Sequence, residues 1–241
     1  MTTKPLGRKA YGSIGHLPCS RMGRGDHAVP IGQSDICLKK TRDKHDLVIA
    51  QEKLDGSCCA VALVDGVLHA IGRAGWLAVS SPYEQHRMFA NWVLANERPF
   101  REVLQEGERV VGEWLAQAHG TRYDLIGRQP FVVFDIMREN TRLVYHEFVE
   151  RVAGWLATPA CLAATRSAIP LEAAMGALGR YGHYGAQDYV EGVVYRVERN
   201  GKVDFLAKYV RPDKADGIYL SEVSGHPAVW NWKPAAENLD K

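Results

Sequence analysis

The sequence predicts an α+β domain in which antiparallel sheets carry flanking helices, and three observations lead there. Asp65-Gly66 separates two apolar runs, 60–64 and 67–71. Asp-Gly in that position marks a tight hairpin, because the turn needs positive φ and glycine supplies it. Asn200-Gly201 separates 188–197 from 203–211 in the same way. Between these hairpins, Met88, Phe89, Trp92, Val93 and Leu94 recur at spacings of one, three and four, with Pro82 near the start. That period predicts a helix over 82–105 whose Trp and Met stripe belongs to the core.

The chain's 241 residues can bury a substantial core as one large domain, or one domain with an appendage. Hydrophobic content of 46% beside 24% charged residues is ordinary for a soluble globular protein. A formal net charge of +2 does not by itself point to nucleic acid, so any basic surface must be local. No apolar run reaches the roughly 18 residues of a membrane span, and Met1 to Ala10 lacks a signal-peptide core. The five cysteines (Cys19, Cys37, Cys58, Cys59, Cys161) are odd in number and show no C-x-x-C spacing. That argues against a disulfide framework or zinc site and fits a reducing, cytoplasmic location.

Residues 1–46 mix Arg8, Lys9, Arg21, Arg24, Lys39, Lys40, Arg42 and Lys44 with several glycines, which predicts irregular structure with one short strand. The basic content suits either a phosphate-tracking surface or a solvated arm. His16, His27 and His45 form no ligand pair of recognisable spacing. The apolar run 47–50 then leads into Glu52-Lys53-Leu54-Asp55-Gly56-Ser57, placing Lys53 where a strand gives way to a turn. A lysine held there can act as a nucleophile once its amine is deprotonated. Arg73, between Gly72 and Gly75, sits where backbone can approach a ligand closely.

Residues 108–115 read as a strand carrying Glu113, and 131–137 as a fully buried strand containing Asp135. A carboxylate in such a strand is costly unless it is paired or bound to metal, so Asp135 is either functional or a structural hydrogen-bonding group. A short strand is expected at 143–145, and helices at 146–157 and 171–181 with a link broken by Pro159 and Pro170. In the last hairpin, alternation puts Glu191, Val193 and Tyr195 on one face and Gly192, Val194 and Arg196 on the other.

Five motifs, taken together and in order, resemble the covalent nucleotidyltransferases: ATP-dependent RNA and DNA ligases and mRNA capping enzymes. They are Lys53-Leu54-Asp55-Gly56 followed by Arg73, then Glu113, Phe134-Asp135-Ile136, Glu191-Gly192-Val193-Val194, and Lys208. The form of the third and fourth is most similar to the RNA ligases related to the nick-sealing phage enzyme. The resemblance implies a nucleotidyltransferase domain of ATP-grasp-like build over 47–214, with antiparallel sheets around an ATP cleft. A basic N-terminal segment, 1–46, would precede it, and a tail, 215–241, with Trp230 and Trp232 would follow.

The resemblance also implies an RNA-repair activity in three steps. Lys53 attacks the α-phosphate of ATP, AMP passes to an RNA 5′-phosphate, and a 3′-OH displaces AMP. Phe134 would stack on adenine, Arg73 and Glu113 would hold the ribose side, and Glu52 would join Lys53 in binding the nucleotide. Glu191 would hold Mg²⁺ or Mn²⁺, Lys208 would contact the α-phosphate, and Asp55 and Asp135 would complete the catalytic set. The expected partners are RNA ends or a nicked duplex and an end-processing enzyme, with no membrane.

Two departures stand out. The family's last motif is usually K-x-K, whereas Lys208-Tyr209-Val210-Arg211 lacks the second lysine. Either Arg211 or Lys214 could replace it, or both could bind the nucleic-acid strand while Lys208 serves the nucleotide alone. The stretch after Arg211 is also short for the further C-terminal domain that ligases commonly carry. The competing readings are a DNA ligase, a capping-type GMP transferase and a catalytically silent RNA-end-binding module.

Overall fold

The computed structural model of the protein describes residues 4–234. The end of the expected tail, 235–241, lies outside the described residues, as do residues 1–3. The described elements run in chain order as β1 (Gly15–His16), α1 (Ile31–Leu38), β2 (Asp46–Lys53), β3 (Ser57–Val64), β4 (Val67–Gly72), α2 (Glu84–Ala95), α3 (Glu97–Val103), β5 (Glu108–Trp114) and β6 (Phe131–Arg138). There follow β7 (Thr141–Arg142), α4 (Tyr145–Val152), β8 (Cys161–Thr165), α5 (Leu171–Leu178), β9 (Gly192–Arg199) and β10 (Lys202–Val210).

The strands form two sheets, one in the order β1-β10-β9-β2-β8 and the other β4-β3-β5-β6-β7. Every pairing between these strands is antiparallel except β1 with β10, which is parallel. The expected α+β class with antiparallel sheets is what the chain adopts. Both hairpins close where the sequence places them, with Asp65 at φ 52° and Asn200 at φ 50°, each followed by a glycine at positive φ.

Strand alternation explains where the cores lie. In the first sheet Val48, Ala50, Val193, Tyr195 and Val197 pack with Ala174 and Leu178 of α5 and with Cys37 of α1. In the second, Val61, Val110, Trp114, Phe131 and Val133 pack with Phe89 and Val93 of α2 and Phe100 of α3. The alternate positions, including Lys53, Glu113, Val194, Arg196 and Lys208, line a cleft between the two sheets.

Several sequence expectations need correction. The predicted 82–105 helix breaks at Asn96 into α2 and α3. The strand expected at 143–145 is displaced to β7, and Tyr145 instead opens α4. The helices expected over 146–157 and 171–181 end at Val152 and Leu178, where Gly154 and Gly179 take positive φ. Within residues 1–46 the short strand is present, but 31–38 form a helix, and the link between Pro159 and Pro170 contains β8. All five cysteines are free thiols. Among the described residues no helix is long and apolar enough to cross a membrane.

Candidate functional site

Lys53 is the last residue of β2 and Ser57 the first of β3, so Leu54-Asp55-Gly56 carry the chain from one sheet to the other. The crossing is fixed from all sides. Leu54 is buried with Leu115 and Tyr123. The Asp55 N–H donates to the Tyr123 hydroxyl at 3.0 Å, and the Gly56 N–H to Glu113 Oε1 at 3.1 Å. Asp55 Oδ2 accepts from the Gly120 N–H at 2.9 Å and from Lys214 Nζ at 2.8 Å. A Cβ at Gly56 would lie 2.5 Å from the Trp114 carbonyl oxygen, so the close approach requires glycine. Lys53 is thereby aimed into the cleft, where its Nζ donates to Glu191 Oε2 at 2.6 Å.

The charges around Lys53 are unequal. Asp55, Glu113 and Glu191 surround it, and Lys214 adds one further cation. Burial alone would lower the Lys53 ammonium pKa, but Glu191, Glu113 and Asp55 outweigh it and raise the pKa above its ordinary value. Burial also pushes the Glu113 carboxyl up to about 7, with Lys53 opposing and Glu191 reinforcing. The Glu191 carboxyl is raised chiefly by burial. The nucleophile candidate is thus held protonated by its own neighbours. Lys208, on β10 across from Val194, is lowered first by burial and then by Lys53. Its Nζ lies 3.6 Å from Asp26 Oδ1, and Asp26 Oδ2 lies 3.1 Å from His16 Nε2.

The other end of the cleft holds Phe134 and Asp135. The Phe134 ring is partly exposed and meets Tyr11 edge-on at 5.3 Å. Asp135 is 0% exposed. Its carboxylate accepts from the Tyr11 hydroxyl at 2.6 Å, from Arg142 Nε at 3.2 Å, and from Arg196 Nη2. Arg196 Nη2 also donates to the Phe134 carbonyl at 3.1 Å. Asp135 therefore joins β6 to β9 across the cleft, with each of its oxygens engaged by neighbouring side chains.

The close approach at Arg73 serves the chain itself. Gly75 has φ +87°, and a Cβ there would meet the Arg8 carbonyl at 2.0 Å. Residues 8–11 cross at that point, with the Ala10 N–H donating to the Arg73 carbonyl at 3.0 Å. Arg73 Nη2 in turn donates to the Gly12 carbonyl at 3.1 Å. The N-terminal segment thus supplies Tyr11, Gly12 and Ile14 to the cleft wall and is no solvated arm.

The structure brings Lys53, Arg73, Glu113, Phe134, Asp135 and Lys208 to one cleft, with Glu191 and Asp55 bound at its edge. Two residues do not sit as expected. Glu52 borders the cleft, but its side chain alternates to the other face of β2, where its carboxylate accepts the His183 N–H at 3.1 and 3.2 Å. Glu191 precedes β9 and is released from its alternation, turning toward Lys53 instead of following Val193 and Tyr195 into the core.

Sequence reasoning missed Tyr11, Gln51 and Arg196 and left Lys214 open between replacing the missing lysine and binding the nucleic-acid strand. Arg196 had a signal, as an arginine in an apolar strand demands a buried partner. Gln51 lines the cleft beside Lys53, and its amide nitrogen is buried with no hydrogen-bond partner among the described residues. Lys214 is only 4% exposed and bonded to Asp55 and Thr121, so it belongs to the Lys53 cluster and not to an open surface.

With this geometry in place, a family model described as RNA ligase matches residues 46–210, more than half of the chain. The chain belongs to the RNA ligase family. It resembles the solved "Archaeal ATP-dependent RNA ligase - form 2" at 19% identity and a TM-score of 0.51, over 83% of this chain and 48% of that one. It also resembles a variant of the Naegleria gruberi RNA ligase solved with AMP and Mn, at 14% identity and a TM-score of 0.51, over 84% of this chain and 60% of that one. These likenesses establish a shared fold. The chain spans about half to three-fifths of the length of these solved ligases. No curated protein sequence matches it.

Proposed function

We propose that the chain is an ATP-dependent RNA ligase that joins RNA 5′-phosphate and 3′-OH ends through a lysine–AMP adduct on Lys53. The observation that carries this reading is the crossing at Lys53. The single lysine at the junction of two sheets is fixed by Asp55 and Gly56, faces a partly exposed phenylalanine cleft, and is ringed by carboxylates.

In the first step Lys53 Nζ forms a bond to the α-phosphorus, the bond from that phosphorus to the bridging oxygen breaks, and pyrophosphate leaves. The ammonium must first give up a proton to solvent, and the charges of Glu191 and Glu113 oppose that. Neutralising those carboxylates is what activates the amine. Phosphoryl transfer of this kind is mostly positioning and charge neutralisation. Lys208 and Lys214 flank the α-phosphate position, and Lys214 fills the place of the lysine missing from the last motif. Phe134 presents its ring to adenine, Gln51 offers its unpartnered amide to the base or ribose, and Arg73 and Glu113 border the sugar. Asp135 is a positioning residue, acting through Arg196 and the Phe134 backbone.

Mg²⁺ or Mn²⁺ fits the acidic surplus of hard oxygen donors at Glu191. Among the described residues no three His, Cys, Asp or Glu side chains converge into a cage, which suits a cation held by one or two carboxylates and by phosphate oxygens. Such an ion, when bound, neutralises charge on the phosphates. RNA ends or a nicked duplex are the substrate, and an end-processing enzyme is the expected partner.

The test is incubation with α-labelled ATP or GTP and metal, followed by denaturing electrophoresis and by sealing of nicked RNA against nicked DNA. Label from ATP alone and sealing of RNA are expected, whereas label from GTP or preference for DNA would replace the reading. Lys214→Ala is expected to lose the adduct and Arg211→Ala to keep it. The reverse would return the missing role to Arg211.

A further inference from the structure

Beside the Lys53 cluster runs an open groove that the nucleotide reading leaves unused. Its lining includes Gly120 and Lys214, which both bind Asp55, so the groove adjoins the Lys53 cluster. Its wall is the segment between α5 and β9, where Tyr181 is 51% and Tyr189 38% exposed. Their rings meet in a T-shape at 5.7 Å and 68°. The Arg180 guanidinium lies 4.6 Å from the Tyr189 ring and that of Arg211 lies 5.3 Å from it. Neither tyrosine hydroxyl has a hydrogen-bond partner among the described residues. Large aromatics left this open on a soluble surface and interleaved with arginines have the composition of a base-stacking platform.

The platform is held rigid. The His183 N–H is bound by Glu52, the Asp124 N–H donates to the Gly185 carbonyl at 2.7 Å, and the Val190 N–H to the Arg180 carbonyl at 3.0 Å. The charge also suits a polyanion. Asp188, the acidic residue nearest Tyr189 in the chain, is held by Arg122 at 2.9 Å and by the Tyr219 hydroxyl at 3.0 Å, and its carboxyl sits at about 2, held down first by Arg122. Asp213 meets Arg211 at 3.3 Å, while Arg180 has no acidic partner among the described residues. Tyr189 is two residues from Glu191, the partner of Lys53, so its Cα lies within about 7 Å of that of Glu191.

We propose that Tyr181 and Tyr189, with Arg180 and Arg211, bind unpaired bases of a single-stranded RNA end and lead that end toward Lys53. This rests on the RNA ligase reading and names the form of RNA the site takes. A base in a duplex has both faces covered by its neighbours, whereas an unpaired base can stack on an exposed tyrosine. Single-stranded RNA is therefore favoured over a continuous duplex.

The test compares wild type, the pair Tyr181→Ala with Tyr189→Ala, and the pair Tyr181→Phe with Tyr189→Phe. The probe is a short 5′-phosphorylated RNA with 2-aminopurine near its end, single-stranded or annealed to its complement. Neither tyrosine lines the nucleotide cleft, so adduct formation with ATP reports on the fold. The alanine pair is expected to weaken single-strand binding on the order of tenfold or more, with an unchanged salt slope, because stacking releases no counterions. The phenylalanine pair should bind within about twofold of wild type and still quench the probe, since the ring is what stacks. Unchanged single-strand affinity of the alanine pair overturns the proposal. So does an equal loss for the duplex, which would mean phosphate tracking alone. Absence of an adduct in the wild type would count against the ligase reading, while RNA affinity would still decide this proposal.

Discussion

Two buried ionic clusters occupy the same cleft and are built in opposite ways. At the Phe134 end, the carboxylate of Asp135 is met by Arg196, Arg142 and the Tyr11 hydroxyl, and Glu198 lies 3.7 Å from Arg196 on its other side. The charge of Asp135 is fully answered, and the cluster ties β6, β9 and the N-terminal segment together. At the Lys53 end, Asp55, Glu113 and Glu191 face Lys53 and Lys214. Burial and mutual repulsion push the Glu113 carboxyl to about 7 and raise that of Glu191, so this charge is not settled by the protein alone. A cluster that is closed holds shape. One that is open is completed by what binds to it, and shifted titration in a cleft is the usual mark of such a site.

The largest expected difference lies in stability. Asp135→Ala leaves the buried Arg196 with only Glu198, at 3.7 Å, as an acidic partner, and breaking such a buried pair costs about 3–5 kcal/mol. Urea unfolding should show it, with Asp135→Asn costing less. A loss near zero would mean that the Asp135 cluster is no more closed than the other.

The next difference is in pH dependence. The Glu113 carboxyl titrates at about 7 in the folded chain against an ordinary 4.5. Between those values the folded state keeps a proton that the unfolded state has lost. The associated stability is full below 4.5 and falls as pH rises through 7. Unfolding midpoints across that window should decline in wild type and decline less in Glu113→Gln. Equal slopes would remove Glu113 from the open cluster.

The smallest effect concerns the amine. Glu191 is the leading charge that keeps Lys53 protonated. Glu191→Gln should let Lys53 react several-fold faster with a neutral acylating reagent at mildly alkaline pH, read by peptide mapping in the absence of ATP. Slower or unchanged labelling would show that Glu191 does not set the protonation of Lys53.

Much of this was legible in the sequence, and the failures have physical causes. Both hairpins were written in Asp65-Gly66 and Asn200-Gly201 because positive φ restricts the choice of residue. Lys53, Glu113 and Asp135 stood out as charges in or beside apolar strands, and Lys208 through the family resemblance of the last motif. Helix α1 did not, because Gly32 and Gln33 sit within it and no side chain caps it; it forms where Ile36, Cys37 and Leu38 reach the core of the first sheet. Strand β8 is alanine-rich and weak in strand preference, and it exists because β2 offers an edge to pair with. The partner of Lys214 was hidden for a different reason. The bond of Lys214 to Asp55 spans 159 positions, and strand parity carries no information once β10 has ended at Val210. Long-range ionic partners of this kind are set by the tertiary fold.

The central claim is that Lys53, at the crossing between the sheets, becomes covalently attached to AMP. The direct measurement is intact-mass and peptide-mass analysis of the protein after incubation with ATP and Mg²⁺, in wild type and in Lys53→Arg. Arginine keeps the positive charge but stays protonated up to a pKa above about 12, so it cannot attack. The account predicts one added AMP, located on the peptide containing Lys53, and none in folded Lys53→Arg. An AMP carried on another residue, or retained by the arginine variant, would contradict it.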